Sequence, residues 1–80
     1  MDAYEAVKKA AENSGMSTNS IGRALGKADS YVASGATRGS TPKADTLAAM
    51  LGVCGYSLAA IPYADVPDTA LVIDPPNAGV

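Results

Sequence analysis

Apolar residues recur along this chain with the spacing of short amphipathic helices. Tyr4, Val7 and Ala11 fall at i, i+3 and i+7, one face of a helix. Asp2 stands ahead of them as an N-cap with Glu5 three residues on, an acidic variant of the capping box, and Gly15 supplies a C-cap. This predicts a first helix over residues 3–13. Ser17 is a second N-cap, followed by the apolar set Ile21, Ala24 and Leu25, and Gly26 ends that helix. A third helix starts at Ala28 or Asp29 and runs to Arg38, so only about three residues separate it from the second, a helix-turn-helix spacing. Ala28, Val32 and Ala36 can face the core, which turns Asp29, Ser30, Ala33, Ser34 and Thr37 outward. Gly39-Ser40-Thr41-Pro42 reads as a stop and restart, with Thr41 the N-cap and Pro42 in the first helical position. Leu47, Met50, Leu51 and Cys54 then mark a fourth helix over 43–54, closed by Gly55.

Beyond residue 56 the period changes. Residues 57–61 and 70–73 read as short strands, with Pro62, Pro67 and Asp68 marking the loop between them. Both strands are apolar on both faces, and such strands are normally covered on both sides. The helices can cover one side, and little chain is left for the other. A second subunit meeting Leu58, Ala60, Ile61, Leu71, Val72 and Ile73 is therefore expected; an edge hairpin folded on its own helices is the alternative. Residues 75–80 have the composition of a flexible tail. The expected fold class is mainly α: four helices over residues 1–56, then a β-hairpin over 57–74 belonging to the same domain.

Composition adds a reason to expect a homodimer. Of the 80 residues 48% are apolar, but there is no Trp and no Phe, and alanine supplies much of the total. Alanine buries little area, so a chain this short gains from a partner. Chemistry is scarce. There is no His, so the commonest general base and metal ligand is missing. The one cysteine, Cys54, lies in a helical apolar pattern and reads as a buried small hydrophobe, compatible with a reducing cytoplasm. Asp65 and Asp68 are close, but they flank a proline in a turn, where Asp serves local hydrogen bonding. Metal-ligand spacing and phosphate-binding glycine loops are absent from the sequence, as is any apolar run of membrane-spanning length. The expectation is no enzyme, no cofactor, no metal, no membrane and no small-molecule substrate.

Charge is segregated. The formal net charge is −2, yet residues 17–43 carry +3 from Arg23, Lys27, Arg38 and Lys43 against Asp29. Residues 44–80 hold only Asp45, Asp65, Asp68 and Asp74, for −4. A central basic block is what a one-faced DNA contact needs.

The same block carries a resemblance. Ser17-Thr18-Asn19-Ser20-Ile21-Gly22-Arg23-Ala24-Leu25-Gly26, then Ser30-Tyr31-Val32, then Thr37-Arg38-Gly39, and finally Thr41-Pro42-Lys43-Ala44-Asp45-Thr46-Leu47 resemble the Cro/repressor (Xre-type) helix-turn-helix family. The likeness spans roughly residues 3–55. Helix 4 followed by a strand also looks like the dimerising tail of HigA- or HipB-like antitoxins and Cro-type repressors. The resemblance implies a lambda-repressor-like domain whose third helix enters the major groove of duplex DNA. It places Lys27, Asp29, Ser30, Ala33, Ser34 and Thr37 toward base edges. Thr18, Asn19, Arg23, Arg38, Ser40, Thr41 and Lys43 are placed toward phosphates. Three departures lower the expected strength and specificity of binding. There is one extra residue between Tyr31 and Arg38, Gly35 lies inside helix 3, and the outward positions are poor in long polar side chains. Structural readings stand beside these roles: Asp29 as a helix cap, Arg38 as a partner for a helix C-terminus, Tyr31 as a wall of the core.

The expected function is a sequence-specific, double-stranded-DNA-binding transcriptional regulator. It would be a repressor, with its own operon as a candidate target, acting as a homodimer on a pseudo-palindromic operator. The alternative is a protein-binding module on the same fold, such as an antitoxin holding a toxin or a mobile-element protein inhibiting a host factor.

Overall fold

A computed structural model of the chain describes residues 1–74, and the tail expected over 75–80 lies outside them. Four helices follow in order: α1 (Ala3–Asn13), α2 (Thr18–Ala24), α3 (Tyr31–Thr37) and α4 (Ala44–Val53), then one 3-10 turn at Tyr63–Asp65. Each α-helix ends at a glycine with positive φ, namely Gly15, Gly26, Gly39 and Gly55. Asp2 caps α1, its Oδ1 accepting from the Glu5 N–H at 2.8 Å, and this bond holds its carboxyl below the usual range. Ser17 caps α2, its Oγ accepting from the Ser20 N–H at 3.2 Å.

Two helix starts differ from expectation. Helix α3 begins at Tyr31, after the N-cap Ser30, so residues 25–30 form a longer connection than the sequence suggested. Lys43, not Thr41, is the N-cap of α4, because the Lys43 carbonyl accepts the first helical bond, from the Leu47 N–H at 2.8 Å. Thr41 and Pro42 stay outside the helix.

Val7, Ile21, Val32 and Met50, one from each helix, are the largest fully buried side chains. Around them lie Ala3, Ala10, Ala11, Leu47, Leu51 and Cys54. The Cys54 thiol is free and buried, and desolvation pushes its pKa up. Small residues on the inner face of α1 let its neighbours approach closely. Ala24 and Ala28, expected in the core, are exposed. Ala28 meets α2 through its carbonyl instead: a Cβ added at Gly22 would fall onto that oxygen and lie 3.3 Å from the Tyr31 Cβ. Gly35 is also buried, beneath Tyr4, whose hydroxyl occupies the space a Cβ would take.

The β-hairpin expected over 57–74 is not formed; no strand occurs among the described residues. Pro62 and Pro67 lack the N–H a ladder requires. Their carbonyls instead accept local turn bonds from Asp65 (2.8 Å) and Ala70 (3.1 Å). The end of the segment pairs with the start of the chain. The Asp74 N–H donates to the Met1 carbonyl at 2.9 Å, and the Met1 amine donates to the Val72 carbonyl at 3.3 Å and to Asp74 Oδ2 at 2.6 Å. Leu71 and Ile73 pack on the helical core while Val72 between them is exposed, so a period of two survives without a partner strand. The residues expected to meet a second subunit are thus split. Leu58, Ala60, Ile61 and Val72 face solvent; Leu71 and Ile73 are partly covered by the chain itself.

Three glycines make separable predictions. Gly22→Ala should destabilise by about 1–3 kcal/mol, since relief requires moving the backbone of the α2–α3 connection. Gly35→Ala should destabilise in the native background yet stabilise in a Tyr4→Ala background, where helix propensity acts unopposed at about 1 kcal/mol. Gly52→Ala, which meets nothing within 4 Å, should stabilise by about 0.5–1 kcal/mol. Urea unfolding of the five variants checks all three signs.

Candidate nucleic-acid interface

The solvent-facing side of α3 is made of short side chains. Ala33 and Thr37, at i and i+4, share a face, and both are exposed; Ser34 beside them is half-buried. The Thr37 hydroxyl donates to the Ala33 carbonyl at 2.8 Å, which leaves only its lone pairs for another partner. Ser30 is the N-cap of α3 but makes no side-chain capping bond, so its exposed hydroxyl is uncommitted to the helix.

The connection before α3 carries the charges. Gly26 at φ 71° ends α2 in a Schellman arrangement: its N–H donates to the Arg23 carbonyl at 3.1 Å, and the Lys27 N–H to the Gly22 carbonyl at 2.9 Å. This fixes the backbone from which Lys27 and Asp29 project. Lys27 Nζ lies 5.9 Å from the centroid of the Tyr31 ring, a cation–π contact. Asp29 is not a helix cap. Its Oδ1 lies 3.6 Å from Arg23 Nε, joining the connection to α2. Both side chains are more than half exposed, so the pair contributes little stability. Asn19 lies one turn before Arg23 on the same face of α2 and is exposed; Thr18 is half-buried.

Past α3 the chain presents Arg38, Ser40, Thr41 and Lys43, all exposed. Arg38 is the C-cap of α3, where its charge also suits the helix dipole. Lys43 sits at the N-cap of α4, where a positive charge opposes the dipole, so helix stability gives no account of it. Ser40 also serves the fold, because its hydroxyl donates to the Gly35 carbonyl at 3.2 Å. That carbonyl is the one a Schellman backbone bond would satisfy, and α3 closes with a side chain in its place.

The structure thus joins Arg23 to Asp29 and Lys27 to Tyr31 across the α2–α3 corner, and Ser40 to the end of α3. Sequence reading missed the close contacts of Gly22 with Ala28 and of Gly35 with Tyr4, which position this face. Glycines inside otherwise helical patterns were the available signal, since such a residue often marks a packing contact. Hollows lie beside this face and away from it. An open cleft of about 250 Å³ is bordered by Asp2, Tyr4, Lys8, Ser40, Thr41 and Asp74. A groove of about 350 Å³ runs between the helices and the C-terminal segment, bordered by Leu51, Leu58, Ile61, Leu71 and Ile73. Among the described residues no cluster of His, Cys, Asp and Glu is arranged to hold a metal, and no helix is long and apolar enough to cross a membrane. Comparison with protein-family models, with curated proteins and with solved structures gives no match.

Because Ser40 closes α3, Ser40→Ala should lower stability by about 1 kcal/mol, whatever it does to a ligand. Thermal unfolding, compared with Thr41→Ala, which should lie within about 0.5 kcal/mol of the native chain, checks this.

Proposed function

We propose that this protein is a sequence-specific DNA-binding transcriptional regulator, a repressor of its own operon, that enters the major groove with α3. One observation carries the reading: four exposed cations, Arg23, Lys27, Arg38 and Lys43, flank the short-side-chain face of α3 in sequence, and no Lys or Arg follows Lys43. Short side chains admit the helix deep into the groove; Lys27 and Asp29 meet base edges, and Arg38 and Lys43 take phosphates. The resemblance to Cro/repressor proteins supports the same assignment. Ala33 packs on a thymine methyl; Ser30, Ser34 and Thr37 meet base edges; Thr18, Asn19, Ser40 and Thr41 add phosphate contacts. Two subunits about 34 Å apart place their α3 helices in successive major grooves of a pseudo-palindromic operator. The protein works in the cytoplasm, where the lone Cys54 stays reduced.

Few cations mean modest affinity that falls with salt in proportion to the few phosphates they neutralise. Incubating the protein with fragmented genomic DNA at low salt, then sequencing what is retained, should enrich one palindromic site. Enrichment should be lost in Lys27→Ala/Arg38→Ala. A folded protein that enriches nothing at low salt would refute DNA recognition.

A second reading has its own observation. Leu58, Ile61 and Val72 are exposed, and Tyr63 is 99% exposed, on the segment that borders the larger groove. The homodimer uses this apolar surface; if it does not, the surface serves a toxin or host protein, and the chain is a protein-binding module. Sedimentation equilibrium separates the two. A dimer that Leu58→Asp/Ile61→Asp converts to a folded monomer supports the first; a native chain that is monomeric at all concentrations supports the second.

A further inference from the structure

Asp29 is the one acidic side chain in the basic block of residues 17–43. A carboxylate is out of place on a surface that only grips phosphate, because every phosphate repels it. Stability does not explain it either: its pair with Arg23 is exposed on both sides, at 58% for Asp29 and 61% for Arg23. The geometry gives it a different use. Arg23 Nε lies 3.6 Å from Oδ1, an ion-pair contact longer than a hydrogen bond, so among the described residues the Asp29 carboxylate accepts no hydrogen bond and is open to one. Asp29 stands one residue ahead of the N-cap of α3, on the backbone that the Gly22–Lys27 bond fixes.

An ionised carboxylate only accepts hydrogen bonds. On the major-groove edge, donors occur at cytosine N4 and adenine N6 alone. Adenine N6 lies beside the N7 acceptor of the same base, which repels a carboxylate; cytosine N4 lies beside an apolar C5–H. Lys27, two residues upstream, supplies the opposite chemistry, a donor for guanine O6 and N7. Its contact with the Tyr31 ring keeps the ammonium at the same corner. We propose that Lys27 and Asp29 together read one G·C base pair in each half-site. Asp29 accepts from cytosine N4, Lys27 donates to the guanine of the same pair, and Arg23 acts as a positioning residue for Asp29 rather than as a phosphate contact. This inference rests on the DNA-binding reading above.

The test is selection of binding sites from a random duplex library by the full chain, its Asp29→Asn variant and its Arg23→Ala variant, at one ionic strength. The native chain should select cytosine at one position per half-site. Asp29→Asn keeps the shape of the side chain but can both donate and accept, which matches adenine N7 and N6. That position should switch from cytosine to adenine, with the preference changing about tenfold or more and the other positions unmoved. Arg23→Ala should blur the cytosine preference without replacing it. An Asp29→Asn selection identical to the native one overturns the inference and leaves DNA recognition standing. If the native chain selects no sequence while remaining folded, DNA recognition fails and this inference with it.

Discussion

The approach of Gly22 to the carbonyl of Ala28 is the contact on which the arrangement of this small protein depends. It brings α2 and the connection leading into α3 together at backbone distance, closer than any side chain permits. On the inner side of the same corner Ile21 and Val32 are both fully buried. On the outer side the corner sets the span across which Arg23 meets Asp29. One missing Cβ therefore joins the core to the candidate binding face. Gly26 completes the geometry, since only a residue at ease with φ near 71° ends α2 so that the Lys27 N–H returns to Gly22.

A second close approach fixes the other end of α3. Tyr4 of α1 lies against Gly35, and Ser40 closes the helix by bonding the Gly35 carbonyl. Glycine inside a seven-residue helix costs helix propensity, about 1 kcal/mol relative to alanine. Packing beneath an aromatic ring offsets that cost, because an aromatic side chain buries far more area than a methyl. The same economy runs through α1, whose buried residues are Ala3, Ala6, Val7, Ala10 and Ala11. Small side chains bury little area, and burial stabilises by only about 25 cal/mol per Å². Leu71 and Ile73 of the C-terminal segment add apolar cover where the helices alone leave the core thin.

These constraints shape what the exposed face can do. With Ala33, Ser34 and Thr37 along α3, few side chains are long enough to reach a ligand from the helix itself. The long side chains, Arg23 and Lys27, come from α2 and the corner; Arg38 and Lys43 follow α3. In the proposed complex, recognition rests on a few polar groups held by a rigid corner, which favours selectivity per contact over total affinity.

Much of the helical plan was legible in local sequence. Asp2 and Ser17 act as caps, Gly15, Gly26, Gly39 and Gly55 stop their helices, and Val7, Ile21, Val32, Leu47, Met50 and Leu51 are buried. These follow from near-neighbour chemistry: a cap bonds three residues on, and a glycine adopts positive φ whatever lies around it. What periodicity leaves open is what covers an apolar face. Residues 57–61 and 70–73 carry strand-like patterns, yet prolines remove ladder donors, and the chain start offers residues 72 and 74 the bonds a partner strand would have made. Ala28 has the right spacing to bury its methyl but contributes its carbonyl; Gly35 reads as a weak point but is a packing site. The sequence by itself determined where the four helices stop and where α1 and α2 start, because those depend on bonds within a few residues. Tertiary structure alone decided which backbones touch, where Asp29 finds Arg23, and what the last segment packs against, because those depend on groups distant in the chain competing for the same space.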